Sequence, residues 1–329
     1  MNVFLATLNP MLMLFLCIAV GFALSKFKIL PNGSGTVIAK LETWIFCPAL
    51  SFMTMLRFCT VSTISEHAVN VLLGACCIAL SVAIAIPLSL AFARKNTSER
   101  GIYAYALAVA NSGYLGDSVV LALFGEVALS YYKLFCLPLN IVIYTWGMSM
   151  LVPKGREKSN PIVKILNPPT IAMLLGIAAG LLGLEAYLPS FLLSSLDSLK
   201  LCMGPCAMLL AGVTIARFNI LEMVKNKKVY IASVLRLFIF PLLSVAVLYA
   251  IKQLANSILD LNIGNNVIYL AFFSTGSALG LNTIVFPEAY GGDPRIGASM
   301  ALVSHTLAVI SIPLIYMLLT YLFGPLTFA

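Results

Sequence analysis

Charge is what this sequence has least of. Asp, Glu, Lys and Arg make up 10% of its 329 residues, 61% are hydrophobic, and mean hydropathy is +1.01. Soluble domains carry about a quarter charged residues. So few charges cannot cover a wetted surface, which excludes an ordinary soluble enzyme, a disordered chain and a coiled coil. Also missing are the GxxxxGKS and GxGxxG phosphate loops, the HExxH and GxSxG signatures, and any soluble segment long enough to hydrolyse a nucleotide. No paired carboxylates or nucleophile–base pair stand out in the apolar runs, so an enzyme is not expected. The eight cysteines show no CxxC or Cys/His spacing, which argues against metal or redox work and leaves small buried hydrophobes. No basic residue precedes the first apolar stretch, so it reads as a retained span and not a cleaved signal peptide.

What is present is a series of apolar runs. About 20 apolar residues cross a bilayer's hydrocarbon core. Ten stretches qualify, at roughly 5–25, 36–57, 68–93, 100–124, 127–151, 168–184, 191–215, 229–251, 266–288 and 296–323. The expected fold class is therefore an all-α polytopic membrane protein with ten transmembrane helices. Residues 152–167 form a linker between two halves, 1–151 and 168–329.

The net charge is +8, but its cations sit in short gaps between apolar runs and not on one wettable face. That distribution signals membrane topology and not nucleic-acid binding. Odd-numbered gaps hold fifteen Lys and Arg, even-numbered gaps only Arg57 and Lys252. Odd gaps, including the linker, are thus cytoplasmic, and both termini face outward from a plasma (inner) membrane.

Five spans in each half place the halves in opposite orientations, an inverted repeat if they match. Pro48 and Pro205 lie beside Cys47 and Cys206 in spans two and seven, and Pro87 and Pro241 fall within spans three and eight. Asn111-Ser-Gly-Tyr-Leu-Gly116 in span four corresponds to Thr275-Gly-Ser-Ala-Leu-Gly280 in span nine, and Phe124-Gly125 to Tyr290-Gly291. Inverted five-helix repeats are a common plan for secondary transporters.

Spans four and nine share an interruption. Asn111, Ser112, Gly113, Gly116, Asp117 and Ser118 break the first, and Ser274, Thr275, Gly276, Ser277, Gly280 and Asn282 the second. Each glycine costs a helix about 1 kcal/mol relative to alanine. Unwound backbone at membrane depth needs protein partners or cavity water. Two such breaks predict a polar cavity at mid-membrane, and restarting helix ends favour an anion there. Asn111, Ser112, Gly113, Gly116, Thr275, Gly276, Ser277, Gly280 and Asn282 are the substrate-binding candidates. Asp117 is either a helix cap or a site for a coupling proton or sodium ion. His305, in span ten, is either a hydrogen-bonding partner or a proton relay. Lys133 and Arg236 either snorkel to an interface or draw in an anion. Lys200 is expected to pair with Asp197, and Lys40 with Glu42 at an interface.

The Asn111–Ser118 stretch, Ala122-Leu-Phe-Gly125, Leu137-Pro-Leu-Asn-Ile-Val-Ile-Tyr144 and Gly147 resemble the auxin efflux carrier family. So do Leu281-Asn-Thr-Ile-Val-Phe-Pro-Glu-Ala-Tyr-Gly-Gly-Asp293 and Ser311-Ile-Pro313. That family includes plant PIN-type carriers and bacterial malate or malonate permeases, and the short linker resembles the prokaryotic branch. The resemblance implies a scaffold from spans 1, 2, 6 and 7, a transport domain from spans 3–5 and 8–10, and a substrate site at the crossing of spans four and nine. It also implies site roles for Asn111 and Asn282 and a homodimer through the scaffold. Many members have proline where this chain has Asp117, and another where it has Ser277 or Ala278, so the breaks here rest on glycine and polar residues.

The function expected is secondary transport of a small organic anion, a carboxylate above all, by alternating access. No bound cofactor is expected. The rival reading is an ion or solute channel using the same polar breaks.

Overall fold

A computed structural model describes residues 3–151, 168–290 and 293–326. The linker 152–167 and Gly291, to which the sequence assigns roles, lie outside the described residues. The helices in chain order are α1 (Val3–Lys26), α2 (Ser34–Phe58), α3 (Ile64–Phe92), α4 (Thr97–Ala108), α5 (Asp117–Phe135), α6 (Leu137–Leu151), α7 (Pro168–Leu181), α8 (Ser190–Ile215), α9 (Lys227–Leu259), α10 (Asn266–Gly276), α11 (Asn282–Tyr290) and α12 (Arg295–Phe323). Among the described residues, six helices (α2, α3, α5, α8, α9 and α12) are, by length and composition alone, long and apolar enough to cross a membrane, although α5 is divided at Gly125. Met11–Lys26 of α1, together with α6, α7 and α10, are shorter apolar helices. Where the sequence shows one apolar run, the structure divides the span-four and span-nine stretches into shorter pieces.

The divisions have local causes. α4 ends at Ala108, and Val109 is extended (φ −112°, ψ 118°). A π-helical turn, Ser112–Gly116, then leads into α5. Gly125 has φ 81° and ψ −171°, a backbone region that L side chains rarely enter, so the chain reverses there. α10 ends at Gly276, and Ser277 is again extended.

Three further π turns are present among the described residues: Glu42–Phe46, Ile143–Gly147 and Leu235–Ile239. Two of them end two residues before a proline, Pro48 in α2 and Pro241 in α9. A proline ring collides with the carbonyl four residues back. Here those carbonyls belong to Trp44 and Leu237, inside the wider turns, which relieves the clash.

The helices pack in two groups. α1, α2, α7 and α8 pack on one another, while α3–α6 pack together and α9, α10 and α12 pack with them; α1–α12 and α2–α5 contacts join the groups. In the first group, glycines let backbones touch. A methyl group on Gly212 would stand 2.0 Å from the Ile18 carbonyl oxygen, one on Gly21 2.3 Å from that of Leu209, and one on Gly180 2.6 Å from that of Met55. Small residues serve membrane helices this way because burial against lipid provides no hydrophobic drive. The outer faces are correspondingly apolar: Trp44, Phe191, Leu201 and Leu322 are exposed.

At one end, five charged side chains cluster. Arg57 binds Glu185 at 2.9 Å and Asp197 at 2.8 Å and lies 3.7 Å from Glu126; Lys200 binds Glu126 at 2.6 Å and Asp197 at 2.8 Å. The expected Lys200–Asp197 pair is therefore part of a larger cluster. The expected Lys40–Glu42 pair is absent. Lys40 is exposed, whereas Glu42 is fully buried and both its carboxylate oxygens lack a hydrogen-bond partner. Glu42 opens the π turn Glu42–Phe46 and faces the interior, whereas Lys40, in the preceding α-helical turn, faces outward.

Gly212→Val should force α1 and α8 apart. Overpacking of this kind typically costs about 1–3 kcal/mol or more. We expect a clear drop in the thermal midpoint of detergent-purified protein. Gly35→Ala, whose added methyl would meet nothing closer than 3.5 Å, should leave the midpoint near the wild-type value.

Candidate functional site

The interrupted segments meet. Ala110 and Leu279 form an isolated antiparallel bridge, and the Asn111 N–H donates to the Ala278 carbonyl at 2.7 Å. Non-helical backbone buried in an apolar protein leaves donors and acceptors that helices would have paired. Side chains from three other stretches supply the partners. The Leu279 N–H donates to Ser304 Oγ at 3.1 Å. Arg236 Nη1 donates to the carbonyls of Leu107 (2.9 Å) and Ala108 (3.4 Å), at the C-terminal end of α4. Tyr132 Oη lies within hydrogen-bonding reach of the Ser112 and Phe273 carbonyls, at 3.3 and 3.2 Å.

Beside this crossing lies a cavity of about 100 Å³. Its walls include Asn111, Ser112 and Gly113 from the first restart, and Gly280, Leu281 and Asn282 from the second. The starts of two helices therefore border the same hollow, presenting the N–H groups that no preceding turn can accept. Thr43, Cys47 and Ser51 of α2, Asn140 and Ile143 of α6, and Thr170 and Met173 of α7 complete the wall.

The cavity also contains an ion pair. Lys133 Nζ lies 2.7 Å from Asp117 Oδ2, with side chains 8% and 4% exposed. In an unbroken helix, sixteen residues span about 24 Å. The reversal at Gly125 is what folds Lys133 back against Asp117. Lys133 thus does not snorkel to an interface; it points inward and places a cation in the cavity wall.

Of the substrate-binding candidates, the structure brings together Asn111, Ser112, Gly113, Gly280 and Asn282. The others serve the framework. A methyl on Gly116 would stand 2.1 Å from Tyr132 Oη, so this glycine admits the tyrosine. Gly276 plays the same part for Phe272 and Pro241. The hydroxyls of Thr275 and Ser277 turn back to the carbonyls of Ala271 (2.6 Å) and Phe273 (2.9 Å). Thr275 lines a separate, much smaller hollow beside Cys77 and Ser274.

Of the coupling candidates, Asp117 lines the cavity and His305 does not. His305 Nδ1 stands 2.7 Å from the Ala301 carbonyl, and its Nε2 3.3 Å from Asn111 Nδ2. A proton on Nδ1 donated to Ala301 leaves Nε2 to accept from the Asn111 amide, so the imidazole orients a cavity side chain. The expectation for Arg236 needs correction. It is fully buried on helix carbonyls away from the cavity, with its guanidinium 5.7 Å from the Phe240 ring centroid. The helix end, and not an external anion, is its electrostatic partner.

Residues that the sequence does not single out also matter. Tyr105 Oη accepts from Asn282 Nδ2 at 3.1 Å, holding that amide at the cavity edge. Thr170 and Ser51 are polar side chains inside apolar runs, and that was their one available signal; Asn140 stands in the 137–144 stretch, which carries the family resemblance but was given no site role.

A family model described as "Membrane transport protein" matches residues 6–161 and 157–316. An "Uncharacterized transporter" of Methanocaldococcus jannaschii is 26% identical over 319 residues, 93% of this chain and 97% of that protein. A "Putative malonate transporter" of Rhizobium meliloti is 32% identical over 135 residues, 38% of this chain and 41% of that protein.

Arg236→Gln would strip the α4 carbonyls of a charged donor. Leaving such buried groups unsatisfied costs about 1–3 kcal/mol. The expected result is a lowered unfolding midpoint in detergent; an unchanged midpoint would show that the carbonyls find another partner.

Proposed function

This chain belongs to the membrane transport protein family, the auxin efflux carriers, and from that premise we propose that it is a secondary transporter of a small organic anion, with a carboxylate as its cargo. The observation that carries this reading is the cavity where two helix starts and a buried lysine converge. Helix N-terminal ends and an ammonium both favour negative charge. The amides of Asn111, Asn140 and Asn282 and the hydroxyls of Ser51 and Thr170 add polar groups suited to carboxylate oxygens. The size of the hollow, about 100 Å³, suits a short acid. The name of the Rhizobium relative supports the same chemical class.

The wider architecture belongs to the same reading. The chain would cross the membrane ten times as two inverted five-helix repeats, with both termini outside. The group α1, α2, α7 and α8 would form the scaffold and the remainder the moving domain, which exposes the cavity to each side in turn. The scaffold's apolar outer face would carry a homodimer. Arg57, Glu126 and Glu185 lie in gaps that the distribution of basic residues assigns to the outside, and Asp197 and Lys200 stand near the start of the next span, so the cluster would sit on the outer rim.

The test is uptake into liposomes containing the purified protein, with radiolabelled malonate and other short acids. Saturable uptake is expected. Lys133→Gln should weaken binding about tenfold or more, the worth of one charge-assisted hydrogen bond. Thr275→Val should stay within about threefold of wild type, because its hydroxyl is committed to Ala271. Unitary conductance without saturation, measured in planar bilayers, would replace the carrier with a channel.

A further inference from the structure

The cation of the cavity already has a carboxylate. Lys133 Nζ and Asp117 Oδ2 are 2.7 Å apart, both side chains are more than nine-tenths buried, and both residues line the same hollow. Among the described residues neither has a second ion-pair partner. An incoming anion can therefore reach Lys133 only by competing with a carboxylate that the protein itself provides.

Resting on the reading of this cavity as an organic-anion site, we propose that Asp117 is an internal stand-in for the cargo. It holds Lys133 while the cavity is empty and cedes it when a carboxylate binds. Electrostatics gives the reason. An unpaired ammonium inside a membrane protein is costly, whereas a hydrogen-bonded pair is electrically neutral. The unloaded protein can thus change conformation without carrying a bare charge through an apolar environment. Geometry gives the means. Asp117 lines the same hollow as Asn111, Ser112 and Asn140, so a released carboxylate still faces polar groups and is not stranded. The neighbouring Gly113 leaves open space, with nothing within 4 Å of where a methyl group would project. Asp117 is on this account a positioning residue: it sets how tightly Lys133 is available to cargo and what charge the empty cavity presents.

Asp117→Asn keeps the shape of the side chain and removes the competing charge. Malonate affinity, measured as a Kd by calorimetry on the purified protein, should strengthen by about fivefold or more. Net malonate uptake into initially empty liposomes should fall by about tenfold or more, because the unloaded form now carries an unpaired Lys133. A carboxylate with a merely structural role would not produce tighter binding. Equal or weaker affinity in the variant, or net uptake at the wild-type rate, would overturn the proposal. Asp117→Ser, uncharged and smaller, is measured in parallel and must show the same two changes should the Asn variant fail to fold. Wild-type protein that binds neither malonate nor any other short acid overturns the proposed function and this inference together. Wild-type binding with no gain in the variants overturns the inference alone.

Discussion

The structure is governed by one obligation: backbone that leaves its helix inside an apolar protein must find other partners. Residues 109–111 and 277–281 are such backbone, and they answer the need partly through each other, by the Ala110–Leu279 bridge and the Asn111–Ala278 hydrogen bond. The remainder is supplied from elsewhere. Ser304 of α12, Arg236 of the π turn in α9 and Tyr132 of α5 each reach the crossing. A fully buried arginine and a fully buried tyrosine would be liabilities in most apolar cores. Here they are the reason the crossing can exist, and the crossing is the reason there is a cavity.

The π turns fit the same logic. Each of the four among the described residues contributes a residue to the site or its support: Thr43 from Glu42–Phe46, Ser112 and Gly113 from Ser112–Gly116, Ile143 from Ile143–Gly147, and Arg236 from Leu235–Ile239. An extra residue in a helical turn rotates the next stretch of helix and frees a carbonyl. Placed before Pro48 and Pro241, the wider turn also absorbs the ring that an ordinary turn would reject.

Much of this was legible in the sequence because its signals are local. Glycine and small polar residues crowded into an apolar run mark a helix that stops, and the two interruptions fall where Asn111–Gly116 and Thr275–Gly280 stand. What each residue does at the break is a different matter. Thr275 and Ser277 resemble Ser112 in composition, yet they bond to their own helix, since whether a hydroxyl faces a cavity depends on a few degrees of rotation. The Asp117–Lys133 pair was hidden for the opposite reason. Sixteen residues of apparent helix separate the partners, and a single glycine with a left-handed φ brings them together. Glu42 and Lys40 show that near neighbours can also part, when an irregular turn intervenes. The cavity walls from α2, α6 and α7 come from tertiary packing, which periodicity does not encode.

The cluster at Arg57 has a property set by its arithmetic. Two cations share three carboxylates, and of the five only Glu126 comes from the second packing group. Withdraw Glu126, and Arg57 still holds Glu185 and Asp197 while Lys200 still holds Asp197. Glu126 itself, 31% accessible, turns to water. In the alternation proposed above, the clasp between the two groups would open and reclose with both cations still paired and Glu126 passing to water.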